Sequence, residues 1–323
     1  MRTFEIVEPG GADRVRFGTR EVPAVGPGEV RIRVSYAGLN FTDVLARRGA
    51  PGYAATWPYV PGMEVGGVVD AVGEGVDTRT VGDVVVAFTT EGGGFAEYAV
   101  ADARLTELVP DGIDLAAATT VPLTWATALG LLRAADPKPG ERLLVTSAAG
   151  GVGAAIGAVS QGYEGIRLFG GIGSAAKSSA LHSSYTPVLR DDHFYDTAVE
   201  AAGGPFDAIL DSIGGHVLDA AASHLQIEGR LVSYGGAAGE PDPAVPAYGA
   251  LRAGNHTVRG FSILRLARSA PERAGALIRD MMALTRTPLT LTQPTIVDWP
   301  DLIDAHLRQS EGVATGKTVV KVG

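Results

Sequence analysis

Between residues 143 and 234 the sequence alternates short apolar runs with helical patterns, and this alternation constrains the fold more than any other feature. We predict strands over Leu143 to Thr146, Arg167 to Phe169, Ala208 to Leu210 and Arg230 to Tyr234. Helices are predicted over 151–161, 174–183, 194–202 and 216–225. Strand and helix in strict alternation are typical of a parallel sheet covered on both faces, so we predict a doubly wound α/β domain.

The first predicted strand runs into a glycine-rich stretch, TSAAGGVG at 146–153, before a helix begins. A helix N-terminus offers unpaired N–H groups and a partial positive charge, and glycine lets a phosphate approach them. A glycine cluster by itself is as often a tight turn, but its place between a strand and a helix indicates dinucleotide binding. The residues predicted to contact the cofactor here are Ala149, Gly150, Gly151, Val152 and Gly153.

The end of the second predicted strand indicates which dinucleotide is bound. An NAD-binding unit carries a carboxylate about 20 residues after the glycines, where it accepts hydrogen bonds from the ribose. This chain has LFGGIGS at 168–174, without a carboxylate, and Lys177 follows. We therefore predict NADPH as the cofactor, with Gly173, Ser174 and Lys177 near its 2′-phosphate; the alternative for Lys177 is a solvated helix face.

The remaining sequence is rich in β-type runs. Residues 1 to about 110 contain short runs divided by Gly and Pro, and Glu29 to Val34 alternates with the period of a half-buried strand. Similar runs return after residue 259, around helices predicted over Pro271 to Leu284 and Trp299 to Ser310. A chain of 323 residues with this division is long enough for two domains.

Composition narrows the classes of partner. The net charge is -9, and no basic cluster would follow a nucleic-acid backbone or an anionic membrane, so the expected partner is a small molecule. The absence of cysteine excludes disulfides, thiolate zinc sites and a cysteine nucleophile. No signal-peptide core is found, and no apolar run reaches the about 20 residues that span a bilayer, so we expect a soluble cytoplasmic protein.

Several further motifs follow one another along the chain. They are GLNFTDVL at 38–45, VPGMEVGGVV at 60–69, VGEGV at 72–76, VGDVV at 81–85, GFAEY at 94–98, SAAGGVG at 147–153 and GKTVV at 316–320. In the order and spacing of these motifs, over nearly its whole length, the sequence resembles the medium-chain dehydrogenase/reductase superfamily, and most of all its quinone oxidoreductase and enoylreductase branch.

The resemblance implies a particular domain organisation. A β-rich GroES-like catalytic domain would comprise residues 1–118 and 259–323, and a Rossmann NADPH-binding domain would comprise residues 119–258. The active site would lie in the cleft between the two domains. Homodimers are usual in this branch, and an edge strand near Thr257 to Ile263 would be the pairing surface.

The resemblance also bears on metal binding. In the zinc-dependent alcohol dehydrogenases of this superfamily, a cysteine ligand sits where this chain has Asn40, and a histidine ligand sits where it has Met63. Catalytic zinc takes three protein ligands from Cys, His or carboxylate, and only Glu64 remains. We therefore predict an enzyme that binds no metal.

The chemistry left is hydride transfer from NADPH to a quinone or an α,β-unsaturated carbonyl, followed by delivery of a proton. By resemblance, Asn40 and Thr124 line the nicotinamide and substrate site, and Tyr53 lies near the position of a proton donor. The alternative for Tyr53 is a packing role. Asp43 is expected to cap or orient the helix that follows it.

Further cofactor contacts are predicted after the fourth strand. Ser233, Tyr234 and Gly235 follow it on the side where open α/β sheets bind ligands. Phe261 resembles a residue that lies against the nicotinamide in relatives, and a core role between the domains is its alternative. Residues 244–251 mix apolar and aromatic groups and are expected to help select the acceptor.

Two other functions stay open. The chain would be a trans-acting enoylreductase if its substrate is a polyketide-type enoyl thioester. It would be an NADPH-binding redox sensor or structural protein if it binds NADPH tightly but turns over no acceptor.

Overall fold

The computed structural model describes residues 1–239 and 248–323. These residues divide into two compact units, one of Met1–Ala126 with Ile263–Gly323 and the other of Thr127–Ser262. The domain limits predicted from the sequence, 118/119 and 258/259, fall eight and four residues before these divisions and stay a prediction.

The strands and helices of the described residues are as follows. The strands are β1 (Arg2–Ile6), β2 (Val15–Thr19), β3 (Glu29–Leu39), β4 (Glu64–Val72), β5 (Val84–Phe88), β6 (Tyr98–Asp102), β7 (Thr106–Leu108), β8 (Arg142–Val145), β9 (Arg167–Ile172), β10 (Tyr185–Leu189), β11 (Phe206–Asp211), β12 (Leu225–Ser233), β13 (Thr257–Gly260), β14 (Thr295–Asp298) and β15 (Thr318–Lys321). The α-helices are α1 (Phe41–Arg47), α2 (Leu115–Ala118), α3 (Ala126–Ala135), α4 (Gly151–Val159), α5 (Phe194–Ala202), α6 (Gly215–Ala221), α7 (Tyr248–Gly254), α8 (Ile263–Ser269), α9 (Pro271–Leu284) and α10 (Leu302–Ser310). A π-helix covers Val121–Trp125, and 3₁₀ turns cover Ala12–Arg14, Ala103–Leu105, Ser160–Gly162, Ala175–Ala180, Ala222–His224 and Trp299–Asp301. Within the described ranges, no helix combines the length and the apolar character needed to cross a bilayer.

The first unit is organised around the long strand β3. Its sheet has the order β14-β15-β3-β4-β5-β7, and β6 also pairs with β3. The register between β3 and β4 shifts at Arg31/Ile32 and at Val34/Tyr36, and such bulges bend a sheet so that it curls around its core. Val30, Ile32 and Val34 point into that core, so the predicted half-buried strand is confirmed and continues to Leu39.

The second unit contains a parallel sheet of six strands in the order β10-β9-β8-β11-β12-β13. The central strand β8 contributes Leu143, Leu144 and Val145, all fully buried, as expected where both faces of a parallel sheet are covered. Numbered from β8, the order is 3-2-1-4-5-6, which is the Rossmann arrangement. The predicted doubly wound α/β fold is therefore confirmed.

The structure corrects three local predictions. The helix predicted over 174–183 is only the 3₁₀ turn Ala175–Ala180. Strand β10 was not predicted because it contains Pro187, which is tolerated here since β10 lies at the sheet edge. Strand β12 begins at Leu225 rather than Arg230; Glu228 has a positive φ of 65° and Ile227 is exposed, and both obscure the strand pattern.

The glycine-rich turn between β8 and α4 depends on one glycine in particular. A Cβ on Gly153 would lie 2.5 Å from the carbonyl oxygens of both Ser147 and Ala148, whereas a Cβ on Gly150 would find its nearest neighbour 3.7 Å away. Only Gly153 is therefore required by close packing of the backbone, although both residues belong to the same motif.

We expect Gly153→Ala to lower the free energy of unfolding by about 1–3 kcal/mol, because the added methyl group forces the turn away from the helix. Gly150→Ala is the matched control and is expected to change it by less than about 0.5 kcal/mol. Urea unfolding measures both values. Equal destabilisation by the two variants would contradict the packing role assigned to Gly153.

Candidate functional site

The second unit presents the glycine-rich turn at the carboxyl end of its central strand. Strand β8 ends at Val145, Gly150 is the N-cap of α4, and the helix begins at Gly151. The N–H groups of the first helical turn have no partners within a helix, so those of Gly151, Val152 and Gly153 could bind an anion. This turn fits the pyrophosphate of a dinucleotide.

Side chains from β10 and the residues before it hold α4 in place. The buried Tyr185 donates its hydroxyl to Gly153 O at 2.7 Å, and Ser184 Oγ donates to Gly157 O at 3.0 Å. Burial raises the pKa of Tyr185 well above its usual value, so this hydroxyl stays protonated and can donate. Neither residue was predicted from the sequence, because the strand that carries Tyr185 was not predicted.

The predicted 2′-phosphate residues follow β9. Gly173 and Ser174 are exposed, and Lys177 is half-buried on the 3₁₀ turn that comes next. Parallel strands end at a common edge of their sheet, so these residues lie at the same edge as the glycine-rich turn.

Strand β12 ends at the same edge of the sheet, so the residues that follow it also lie there. Ser233 is the last residue of β12, and the N–H of Tyr234 donates to Asp211 O at 2.8 Å. Burial raises the pKa of Tyr234 to about 12. A Cβ on Gly235 would lie 2.9 Å from Ser212 O, so the glycine allows two chain segments to run close together.

Phe261 packs inside the second unit. Its N–H donates to Ser233 O at 2.8 Å, and its ring lies so close to Gly130 of α3 that a Cβ there would be 2.3 Å from Cζ. The predicted contact with the nicotinamide stays a prediction. Of the segment 244–251, expected to help select the acceptor, residues 244–247 lie outside the described residues.

The first unit contains a buried polar group that we call the Glu64 cluster: Asn40, Glu64, Thr124 and Lys317. Glu64 is fully buried, and its Oε1 lies 2.6 Å from Lys317 Nζ. The same oxygen accepts hydrogen bonds from Asn40 Nδ2 at 3.1 Å and from Thr124 Oγ1 at 3.2 Å. Its Oε2 accepts from the N–H groups of Leu123 at 3.0 Å and Thr124 at 3.2 Å. The carboxylate thus binds the N–H groups of the π-helix that precedes α3.

Lys317 completes the cluster and was not predicted as a site residue. Its ammonium donates to Leu39 O at 2.7 Å and to Asn40 Oδ1 at 2.6 Å, in addition to its contact with Glu64. The side chain is 7% exposed. The available signal was a lysine directly before the strand residues Thr318 to Val320, since a buried ammonium requires a buried partner.

The two predicted catalytic residues Asn40 and Thr124 come together in this cluster, with Thr124 Oγ1 3.5 Å from Asn40 Oδ1. The Asn40 amide already makes hydrogen bonds within the protein. Its Nδ2 donates to Gly38 O at 3.2 Å and to Glu64, and its Oδ1 accepts from Lys317. Asn40 is 8% exposed and Thr124 is 1% exposed. Both side chains are therefore fixed by hydrogen bonds to other protein groups. Their contact with a substrate stays a prediction.

Asp43 orients the N-terminus of α1, as expected from the sequence, although the helix begins earlier, at Phe41. Its carboxylate accepts hydrogen bonds from the N–H of Asn40 at 2.8 Å and of Gly62 at 2.9 Å. Burial raises the pKa of Asp43 to about 6; the two backbone hydrogen bonds and the charge of Lys317 act in the opposite direction.

Tyr53, the predicted proton donor, packs outside the Glu64 cluster. It lies against the small apolar core of Ile6, Ala46 and Tyr59 and is half-buried. Burial raises the pKa of its phenol above the usual value, so the hydroxyl carries its proton at neutral pH.

Asn40 and Met63 occupy the two positions where the resemblance would place zinc ligands. Met63 is fully buried. In the part of the chain that the structure describes, no three His, Asp or Glu side chains lie close enough together to hold a metal ion.

Family models match two parts of the chain. The model described as alcohol dehydrogenase GroES-like domain matches residues 26–111. The model described as zinc-binding dehydrogenase matches residues 186–320.

Two curated relatives illustrate the range of similar proteins. The chain is 34% identical over 303 residues to the pikromycin polyketide synthase component PikAII of Streptomyces venezuelae, covering 92% of this chain and 8% of that protein. It is 34% identical over 241 residues to the human synaptic vesicle membrane protein VAT-1 homolog, covering 73% of this chain and 61% of that protein. The chain thus spans less than two thirds of the length of these relatives.

Three solved structures are similar over the whole chain. The mycobacterial protein Rv1454c complexed with NADPH has a TM-score of 0.87 and 27% identity, with 99% of each chain covered. A mycobacterial quinone oxidoreductase has a TM-score of 0.82 and 28% identity, with 99% of each chain covered. The CurK enoyl reductase has a TM-score of 0.86 and 25% identity, with 99% of this chain and 98% of that chain covered.

We expect Lys317→Met to lower the free energy of unfolding by about 3–5 kcal/mol, because it leaves the buried Glu64 carboxylate without its cation. Lys321→Met, at an exposed position of β15, is the matched control and is expected to change it by less than about 0.5 kcal/mol. Adding Glu64→Gln to Lys317→Met is expected to cost less than the sum of the two single changes, since no unpaired charge is left. Additive losses in urea unfolding would contradict the ion pair.

We expect the stability of the wild type relative to Asp43→Asn to fall as the pH rises from 3.8 to about 6, the ordinary and native pKa values of Asp43. In this range the native carboxyl keeps its proton while the unfolded chain has lost it, so raising the pH favours unfolding by at most about 1.4 kcal/mol per pH unit. Above this range the difference is expected to be constant. Unfolding curves of both proteins at several pH values measure this difference in the free energy of unfolding. If the stability of the wild type relative to Asp43→Asn rises with pH, the raised pKa is contradicted.

Proposed function

Because the chain belongs to the medium-chain dehydrogenase/reductase superfamily, we propose that it is an NADPH-dependent, zinc-independent reductase of a quinone or an α,β-unsaturated carbonyl. The observation that carries this proposal is the turn from β8 into α4, whose glycines leave room for a pyrophosphate. The end of β9 beside it has no carboxylate that would repel a 2′-phosphate.

Two comparisons support the cofactor and the acceptor. Rv1454c, similar over the full length, is complexed with NADPH. Another similar protein is a quinone oxidoreductase. Hydride transfer from NADPH to a conjugated acceptor is the reaction that combines these two features.

An enoyl thioester is the second candidate acceptor. The similarity to PikAII, a polyketide synthase component, covers 92% of this chain, and the CurK enoyl reductase is similar in structure. An enoyl thioester is also a conjugated carbonyl compound, so the same hydride chemistry would serve both substrates.

The chain's own residues contribute binding, orientation and a proton. When bound, NADPH supplies the hydride. The N–H groups of Gly151 to Gly153 would bind the pyrophosphate, and the Glu64 cluster holds Asn40 and Thr124 rigidly. Tyr53 keeps its proton at neutral pH and is the proposed donor to the reduced acceptor.

The proposal includes a cytoplasmic homodimer. Strand β13 lies at the edge of the parallel sheet, and all of its residues are exposed. Its outer side has no strand partner within residues 1–239 and 248–323, and such an edge is able to pair with a second copy of itself.

The test of this function is the loss of NADPH absorbance in the presence of a chelator. The acceptors are an ortho-quinone, a simple enone and an enoyl thioester, and a primary alcohol is tested with NADP⁺. Turnover of one of the first three is expected and identifies the acceptor class. Activity on the alcohol alone would contradict the proposal, and tight NADPH binding without any turnover would support a sensor or structural role.

We expect Tyr53→Phe to lower kcat by about 10²-fold with little change in KM, because a positioned proton donor is lost. Tyr59→Phe is the matched control: Tyr59 belongs to the same small core, and its buried hydroxyl has no hydrogen-bond partner among the described residues. Steady-state kinetics on the acceptor found above measures both variants. If both lose activity equally, Tyr53 has only a packing role.

A further inference from the structure

We propose that Arg190 binds the 2′-phosphate of NADPH and, together with Lys177, sets the preference for NADPH over NADH. This inference rests on the proposed cofactor. Arg190 was not predicted as a site residue because it follows strand β10, which the sequence pattern did not indicate.

The backbone places Arg190 at the edge where the cofactor residues meet. It comes directly after β10, and its N–H donates to Ile172 O, at the end of β9, at 2.8 Å. Its Nη1 donates to Thr146 O, just after β8, at 2.9 Å. The side chain therefore crosses the carboxyl ends of three neighbouring strands.

The guanidinium group lies beside Gly173. A Cβ on this glycine would be 3.3 Å from Arg190 Nη2. Gly173 follows β9, where NAD-binding units carry the carboxylate that binds the ribose hydroxyls. Arg190 thus puts a positive charge where NAD-binding proteins have a negative one.

The hydrogen bonds of Arg190 leave donors for a ligand. Within the described residues, the side chain donates only through Nη1, to Thr146 O. Arginine carries five N–H groups in a planar fork that suits phosphate oxygens. Gly173 and Ser174 are exposed, so a phosphate can reach this position from solvent.

Among the carboxylates near Arg190, the buried Asp211 acts on its charge: burial lowers the pKa of the guanidinium, and Asp211 partly offsets this effect. Asp191 accepts a hydrogen bond from the N–H of His193 at 2.9 Å. Asp211 is buried and accepts from Thr146 Oγ1 at 2.8 Å and from the N–H of Gly214 at 2.9 Å. Asp192 is exposed. The hydrogen bonds named here are made to groups other than the Arg190 guanidinium.

A purely structural role for Arg190 would be to connect β10 with the residue after β8. If that is its only role, replacing Arg190 weakens the binding of all nucleotides equally. If Arg190 binds the phosphate, the replacement weakens only the binding of nucleotides that carry a 2′-phosphate. The experiment therefore compares ligands that differ only in the 2′-phosphate.

Dissociation constants of wild type, Arg190→Gln, Arg190→Lys and Lys177→Ala are measured by titration calorimetry at fixed ionic strength. The ligands are NADPH with NADH, and 2′,5′-ADP with 5′-AMP. For Arg190→Gln we expect NADPH and 2′,5′-ADP to bind about tenfold more weakly or worse, and NADH and 5′-AMP to change less than about twofold. Arg190→Lys is expected to retain part of the preference, because it keeps the charge but not the fork.

Gly173→Asp provides a second, independent variant. Gly173 does not have a positive φ, so a side chain is compatible with its backbone. The new carboxylate would pair with Arg190, so we expect weaker binding of 2′,5′-ADP and a shift of preference towards NADH. Gly173→Asn adds the same volume without the charge and is expected to keep most of the preference for NADPH.

The outcomes separate this inference from the proposed function. A wild type that shows no preference for NADPH overturns the proposed cofactor. A wild type that prefers NADPH, with an Arg190→Gln variant that keeps this preference or loses affinity equally for all four ligands, overturns only the role of Arg190. If Arg190→Gln does not fold, equal effects of Gly173→Asp and Gly173→Asn overturn it instead.

Discussion

The ion pair between Glu64 and Lys317 is the interaction on which the first unit depends. A buried carboxylate and ammonium are stable only when hydrogen bonds satisfy their remaining polar groups. Here those groups are the amide of Asn40, the hydroxyl of Thr124 and backbone atoms at the ends of strands and at a helix start. Because segments distant in sequence must meet around one carboxylate, the positions of β3, β4, β15 and the π-helix are coupled.

The hydrogen bonds of the Glu64 cluster also limit what its side chains can do for a ligand. The family resemblance predicts Asn40 and Thr124 as site residues, yet a resemblance does not show which way a polar group points. In the structure, both N–H groups of the Asn40 amide are used inside the protein, and its oxygen accepts from Lys317. Catalysis in this unit would therefore depend on how rigidly the cluster is held, as well as on which residues it contains.

The sequence predicted those parts of the molecule that depend on neighbouring residues. The strand–helix alternation specified the parallel sheet, and the glycine-rich turn is a local signal that includes Gly153. Prediction failed for elements and side chains whose positions depend on contacts with residues distant in sequence. Strand β10 forms despite Pro187 because it needs a partner on one side only, and Arg190 acquires its position from that strand. Lys317 was missed because its partner Glu64 lies far away in sequence.

The first unit is interrupted in the chain by the second, and this has a consequence for synthesis on the ribosome. Glu64 leaves the ribosome long before Lys317, and the whole second unit is made between them. Domains generally fold as units as the chain emerges, so the second unit is able to fold while the first still lacks the cation for its buried carboxylate. The first unit can therefore bury Glu64 together with its cation only after the second unit and Lys317 have been made.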